Sequence, residues 1–483
     1  MPASTAFPSS DMSFQSLAFL AFLALTVLAC LWAGSRSRRA GSWLLLATCT
    51  VFCLWGLPDR KVLGGFLVLL GGCVMTWAAA RDFPAHPKRK KTVFLVALLW
   101  LIGTLLWYKY AGVFTGGWMP LGLSFFTFQQ IWYLKEVYTG EAQPVGQKEY
   151  LLYTFFFPTL TSGPILRPAA FFPQLSGEAF LHPDWRDISA ALYAISLGMA
   201  KKVLLADPLG TVVSNGWAML ESLTAPGAWL VMLAYTLQLY LDFSGYCDIA
   251  AGCARLLGIR LPVNFDSPYR SFSVGEFWKR WHITLTTFLR ECLYFPLCGS
   301  RKGNARTYLN ILIVYMVSGV WHGAGWTFVI WGGLHGLAQI LERAWGPRRE
   351  RLPKVLRWLM TFLFVNLAWV FFRAPSLGAA GELLSVAVFG GAGLPLSALA
   401  AGVLDSETTA LTTLLPMLAK QMPGLMLAAL LVVSLTVSLW PQSTIRRMEE
   451  FRPSPGTALV CGVLLVWAVL SFSSGATFIY SNF

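Results

Sequence analysis

Ile311-Leu-Ile-Val-Tyr-Met-Val-Ser-Gly-Val-Trp-His-Gly-Ala-Gly-Trp-Thr-Phe-Val-Ile-Trp331 is apolar or small almost throughout and carries one basic side chain, the imidazole of His322. An imidazole at membrane depth is costly, so it marks a functional site before it marks packing. The chain holds five histidines, and His282, His322 and His335 all fall within residues 282–335. That clustering points to a reactive centre. The two apolar arms around Trp321-His322-Gly323 read as a helical hairpin, and similar windows recur along the whole chain.

Composition fixes the class. Of 483 residues, 56% are hydrophobic and 12% charged, with mean hydropathy +0.59. Soluble domains carry about 25% charge, and windows of about 20 apolar residues cross a bilayer. The expectation is an all-α polytopic membrane protein, its 21 Trp serving interfacial belts and buried packing. The net charge of +14 comes in short bursts, at Arg36, Arg38 and Arg39, at 88–91, at 343–357, and at Arg446 and Arg447. That is the pattern of cytoplasmic loops, and it gives no reason to expect nucleic acid. The nine cysteines show no Cys-x-x-Cys pair or metal-ligand spacing, and no metal site is expected. Cys49 and Cys53 read as small buried apolar residues. The first apolar run, 17–32, reads as a retained helix rather than a removable signal, and the eleven residues before Met12 read as a polar tail.

Candidate spans lie near 17–34, 42–57, 62–80, 93–114, 118–137, 149–163, 188–206, 226–243, 307–320, 324–341, 355–373, 424–440 and 457–473. They imply ten to thirteen crossings in one continuous domain, 1–483. Basic loops place the N-terminus on the periplasmic side. The count falters at Lys201, Lys202, Arg255 and Arg260, which all look cytoplasmic: either 208–222 crosses, or one pair snorkels. Arg301, Lys302 and Arg306 before the hairpin, and 343–357 after it, place His322 toward the outer face, at the base of a depression.

Around His282, the stretch Gly275-Glu-Phe-Trp-Lys-Arg-Trp-His282 alternates aromatic and basic residues. It reads either as an interfacial helix with snorkelling cations or as a functional cytoplasmic approach. In the second reading Lys279, Arg280, Arg290, Arg301, Lys302 and Arg306 form a basic mouth for the phosphates of a charged donor. His282 then stands at the inner end of a passage whose outer end is His322. Asn264-Phe-Asp266-Ser-Pro268 reads as a turn, with capping and chemistry equally open. Asp242 and Asp248 end an apolar span and need cationic partners; Arg255 or a residue of the mouth is the expected one. Phe157-Pro-Thr-Leu-Thr-Ser-Gly-Pro164-Ile-Leu-Arg167 breaks a helix twice, which membrane depth tolerates only inside protein or along a cavity. Arg167 is therefore a candidate lining residue. His335 lies thirteen residues past His322, about 140° away on one helix, and is expected to pack or hydrogen-bond. No Gly-x-Ser-x-Gly, His-Glu-x-x-His, phosphate-loop or dinucleotide fingerprint occurs.

Taken in order, Leu121-Gly-Leu-Ser-Phe-Phe-Thr-Phe128, Pro158-Thr-Leu-Thr-Ser-Gly-Pro164 with Arg167, Asp242-Phe-Ser-Gly-Tyr246, Pro262-Val-Asn-Phe-Asp-Ser-Pro268, Glu276-Phe-Trp-Lys-Arg-Trp-His282, Trp321-His-Gly323 and Leu334-His-Gly336 resemble the bacterial branch of the membrane-bound O-acyltransferases. That branch includes the alginate O-acetyltransferase membrane subunit and the teichoic acid D-alanyl transferase. Phe14-Gln-Ser-Leu-Ala-Phe-Leu-Ala-Phe22, Leu367-Ala-Trp-Val-Phe-Phe-Arg373-Ala and the terminal Phe478-Ile-Tyr-Ser-Asn-Phe483 are similar to the alginate-type subgroup.

The resemblance implies a core near 118–345 with accessory C-terminal helices over 346–483, and a ring of tilted helices around a thinned centre with a funnel from each face. It implies that His322 is the catalytic histidine and His282 the second one, with Trp281, Trp321 and Gly323 beside them. It also implies transfer of an acyl group, expected to be acetyl, from a cytoplasmic thioester such as acetyl-CoA across the inner membrane. The acceptor is a hydroxyl of an exopolysaccharide or of a periplasmic SGNH-type acetyltransferase partner. No permanently bound cofactor is expected. Acyl transfer from a phosphopantetheine carrier and a polysaccharide or lipid transporter are the alternatives.

Overall fold

The computed structural model describes residues 13–111, 118–472 and 479; the polar N-terminal stretch and all of the terminal 478–483 motif except Ile479 lie outside them. The described residues are helical with no strand, and five helices are long and apolar enough to cross a bilayer: Leu17–Arg36, Arg60–Ala85, Lys90–Tyr110, Trp185–Ala218 and Lys354–Arg373. Shorter apolar helices include Met422–Ser438 and Pro455–Leu470, close to the expected spans, and Leu377–Phe389, which the apolar windows missed because it has only 13 residues. The outer helices leave Leu25, Leu28, Leu67, Leu99 and Val463 exposed, as a lipid-facing surface requires.

Ala225–Leu256 forms the central pillar. Thr224 caps it, accepting from the Gly227 N–H at 3.3 Å, and Pro226 fits the first turn, where its missing N–H costs nothing. Residues 239–256 are buried on every side, the mark of a helix enclosed by others rather than facing lipid. The expected span 226–243 is thus only its first half.

Lys201 and Lys202 correct the topology count. They lie mid-way in the 34-residue run Trp185–Ala218, at a π-helical turn over Ala200–Ala206, and are buried. Lys201 donates to Asp248 at 2.7 Å, and Lys202 pairs with Asp242 and Asp207, each at 2.7 Å. They neither snorkel nor mark a loop: 208–222 continues the same helix as far as Ala218. Arg255 is not the partner of these acids; it binds Asp187 at 2.6 Å and Glu449 at 3.1 Å.

Most basic bursts meet on one face. Arg38 donates to the Ser176 carbonyl at 2.7 Å, Arg260 reaches Glu449, Arg446 pairs with Asp266 at 2.9 Å, and Arg349 pairs with Glu342 at 2.8 Å. From this face Gly303–His322 runs inward and Trp326–Trp345 returns. The two helices touch at Gly319 and Gly332: a Cβ on Gly319 would lie 2.4 Å from the Phe328 carbonyl oxygen, and one on Gly332 the same distance from that of Tyr315. Small residues let membrane helices approach this closely.

The C-terminal helices are built into the core. Thr444 accepts from Lys201 at 3.0 Å, and the Ile479 N–H donates to Asp242 at 2.9 Å. Cys49 and Cys53 are buried and unbridged.

Lys202→Met strands two acids and is expected to cost about 3–5 kcal/mol, seen as a lower melting temperature in detergent. Lys202→Met with Asp242→Asn should recover part of that loss.

Candidate active site

Of the two readings of the segment around His282, the interfacial helix gives way to a re-entrant hairpin. Val274–Arg280 starts with its first N–H groups on Glu342, at 2.8 and 3.0 Å. One helical stretch deeper, Trp278 donates to Nδ1 of His335 at 3.1 Å. Deeper still, His282 comes to 6.5 Å from the Trp321 ring. The chain then turns back through Ile283–Leu289, and Glu291 lies 3.6 Å from Arg167. Ser273 caps the entry by accepting from Glu276 at 2.8 Å. Charge hides this segment from an apolar window, because Glu276, Lys279 and Arg280 sit on its first turns.

His282 stands at the break with φ +44°, a left-handed conformation that a non-glycine residue adopts at a cost of about 1–3 kcal/mol. The Asn264–Asp266 stretch holds it there. Asp266 N–H donates to the Arg280 carbonyl and Ile283 N–H to the Asn264 carbonyl, both at 2.9 Å. The Asn264 side-chain oxygen accepts from Thr284 N–H at 3.2 Å and Thr284 Oγ1 at 2.8 Å, and it lies 3.1 Å from His282 Nδ1. An oxygen that accepts a backbone N–H cannot donate, so Nδ1 of His282 carries the proton and Nε2 the lone pair.

His322 closes its helix in the same tautomer. Its Nδ1 lies 2.7 Å from the Ser318 carbonyl oxygen, which only accepts. Nε2 is therefore the basic atom. Trp321 lies 4.5 Å from this ring, with Trp331 at 4.9 Å and Phe372 at 5.2 Å. Phe243 lies 4.9 Å and Phe125 6.2 Å from the His282 ring. Both imidazoles are buried. Both rings lie against one tryptophan: Trp321 is 4.5 Å from the His322 ring and 6.5 Å from the His282 ring. Gly323 leaves room for Phe328, whose ring a Cβ would meet at 2.2 Å.

The other candidates divide. Trp281 packs at 5.0 Å on both Phe265 and Trp369 and shapes the wall. His335 lies behind Trp331, ring centres 5.0 Å apart. The helix breaks at 323–325, so no single-helix angle relates it to His322. Asp242 faces Lys202, away from the imidazoles, and Asp266 serves Arg446. Lys279 and Arg290 are exposed, and Arg280 is held by Glu276 at 3.0 Å.

Arg167 lines a cleft of about 210 Å³ with Gln174, Arg260, Trp132, Ile165 and Thr284. The lining Thr284, two residues from His282, also donates to Asn264. Arg167 also pairs with the buried Glu136 at 2.6 Å and with Glu141 at 3.3 Å. In the loop beyond, the Lys135 hydrogen bond, with help from Thr139 and Arg167, holds the Glu141 carboxyl below its usual range. Lys279, Arg280, Arg290, Arg301, Lys302 and Arg306 do not line this cleft. The expected polar break is present: the helix Gln147–Phe155 stops at Phe156, and the irregular residues 162–165 are buried, with Ile165 N–H donating to Thr284 Oγ1 at 3.1 Å.

Two groups escaped the sequence reading. Glu136 is a fully buried carboxylate. Lys109 places its shielded Nζ 5.3 Å from the Trp321 ring. A lysine inside the 93–114 span was the signal, by the same rule that picked out His322.

The profile described as "MBOAT, membrane-bound O-acyltransferase family" matches residues 12–378, a wider stretch than the expected core. The peptidoglycan O-acetyltransferase of Helicobacter pylori is 36% identical over 386 residues, covering 71% of this chain and 72% of that protein. A probable alginate O-acetylase of Pseudomonas fluorescens is 36% identical over 381 residues, covering 77% and 74%. The teichoic acid D-alanyltransferase of Streptococcus thermophilus is 29% identical over 246 residues, covering 48% and 59%. A chain matched over most of its length by that profile, with two buried histidines on one tryptophan inside a polytopic helical body, belongs to the membrane-bound O-acyltransferase family and is an acyltransferase rather than a transporter.

Proposed function

We propose that this protein resides in the bacterial inner membrane with its N-terminus periplasmic. It moves an acetyl group from a cytoplasmic thioester, acetyl-CoA, to a hydroxyl of an envelope polysaccharide or of a periplasmic SGNH-type partner. The relatives named for acetylation of peptidoglycan and alginate span more of the chain than the D-alanyl transferase does, which favours acetyl. The basic face is the cytoplasmic one by charge bias.

The observation that carries the reading is the 2.7 Å contact between His322 Nδ1 and the Ser318 carbonyl. It leaves the lone pair on Nε2, which in this reading takes the acceptor's proton. General-base catalysis of this kind is worth about 10²–10⁴-fold. The acceptor oxygen bonds to the thioester carbonyl carbon, the C–S bond breaks, and the proton on Nε2 passes to the leaving thiolate. His282, with its lone pair also on Nε2, accepts a hydrogen bond from substrate or water. In that tautomer it does not donate one to an oxyanion. The cleft at Arg167 and Arg260 suits the donor's phosphates, because its lining Thr284 donates to the Asn264 that holds His282.

His322→Ala is expected to lower acetyl transfer roughly 10²–10⁴-fold while the protein still inserts and keeps its melting temperature. Transfer of label from acetyl-CoA in membranes is the measurement, and near-normal transfer would sink the assignment. Asn264→Ala removes the acceptor for His282 Nδ1 and the buried Thr284 N–H, and should cost about 1–3 kcal/mol of stability together with activity. Arg260→Ala, at an exposed side chain, should raise KM for acetyl-CoA several-fold with little change in kcat. A donor KM that does not move would place donor entry elsewhere.

A further inference from the structure

Lys109 brings a shielded side-chain nitrogen that the mechanism above does not use. It lies in a π-helical turn, Trp107–Ala111, that follows Lys90–Leu106. Lys90 lies over Tyr138, and the segment that follows Tyr138 carries Glu141, a partner of Arg167 in the cleft wall. The helix thus starts near the face where Gly303–His322 starts, and a rise of 1.5 Å per residue carries Lys109 about 30 Å away from it. His322 lies at the equivalent depth. The Tyr110 hydroxyl donates to the Val320 carbonyl and ties the widened turn to the tip of the His322 hairpin. Nζ of Lys109 is shielded from solvent, meets no acceptor among the described residues, and stands 5.3 Å from the Trp321 ring centre.

Packing does not account for this. A cation–π contact returns only part of what shielding an ammonium from water costs. A charge held at net cost beside a reactive centre is what electrostatic catalysis requires. Single-turn π-helices also concentrate at functional sites.

We propose that Lys109 is a catalytic residue of the transfer centre, its ammonium facing the oxygen of the donor carbonyl and taking the negative charge that develops there. This rests on His322 as general base. As His322 Nε2 removes the acceptor's proton, the acceptor oxygen bonds to the carbonyl carbon and the carbonyl π pair moves onto oxygen, opposite Lys109. The pair then returns, C=O reforms, the C–S bond breaks, and the thiolate takes the proton from His322. Lys109 keeps its own protons throughout.

The test uses Lys109→Met and Lys109→Arg in the full-length protein in detergent, with acetyl-CoA as donor, an alginate oligomer as acceptor probe, and released thiol as the signal. Lys109→Met should lower kcat on the order of 100-fold, leave both KM values within about twofold, and melt no lower than wild type because it removes a costly charge. Lys109→Arg should recover about tenfold over the methionine variant. Three results would overturn the proposal: kcat within threefold of wild type, a melting temperature that falls with no recovery by arginine, or a raised acceptor KM at constant kcat. His322→Ala run beside them separates the two ideas: full activity in that variant refutes the base, whereas an active Lys109→Met in a His322-dependent enzyme refutes only the ammonium.

Discussion

Hydrocarbon offers no hydrogen bonds, so any backbone that leaves helical geometry inside a membrane must find its partners in protein. The centre of this molecule is built from that requirement. Three interruptions, at 156–167, 264–267 and 281–283, are brought together, and each supplies what another lacks. Ile165 uses the Thr284 hydroxyl, Thr284 uses the Asn264 side chain, and Ile283 and Asp266 donate backbone bonds to the Asn264 and Arg280 carbonyls. The left-handed turn at His282 survives because its neighbours over-determine it. Without this mutual satisfaction the hairpin could not penetrate, and His282 could not meet Trp321.

The same economy explains the histidine tautomers. Each imidazole spends one nitrogen on a fixed oxygen, Asn264 Oδ1 or the Ser318 carbonyl, and presents the other. Orientation and proton position are thereby set by the same bond. Aromatic rings fill the remaining space, so the rings have little room to rotate away from that arrangement.

How much of this the sequence disclosed follows from what each feature does to an apolar window. The hairpin around His322 was legible because two apolar arms flank a Trp-His-Gly turn, and the double break at Pro158 and Pro164 because proline cannot continue a helix. The re-entrant segment was not legible, since its buried face is aromatic and its entry is charged. Lys201 and Lys202 misled because a cation reads as a loop until its acid is known, and Asp248 and Asp242 lie 47 and 40 positions on. Asn264 was seen only as a turn former. Its second use, as the acceptor for an imidazole, depends on a contact across eighteen residues that no local pattern encodes.

The buried acids of the pillar also bear on the order of assembly. Asp248 shares its lysine with Thr444, and Asp242 takes a hydrogen bond from Ile479, residues translated some two hundred positions after them. Until the distal chain emerges from the ribosome, the most enclosed helix lacks part of its polar complement. Maturation of the interior is therefore coupled to synthesis of residues 444–479, and a chain that stops before them leaves two enclosed carboxylates short of polar partners.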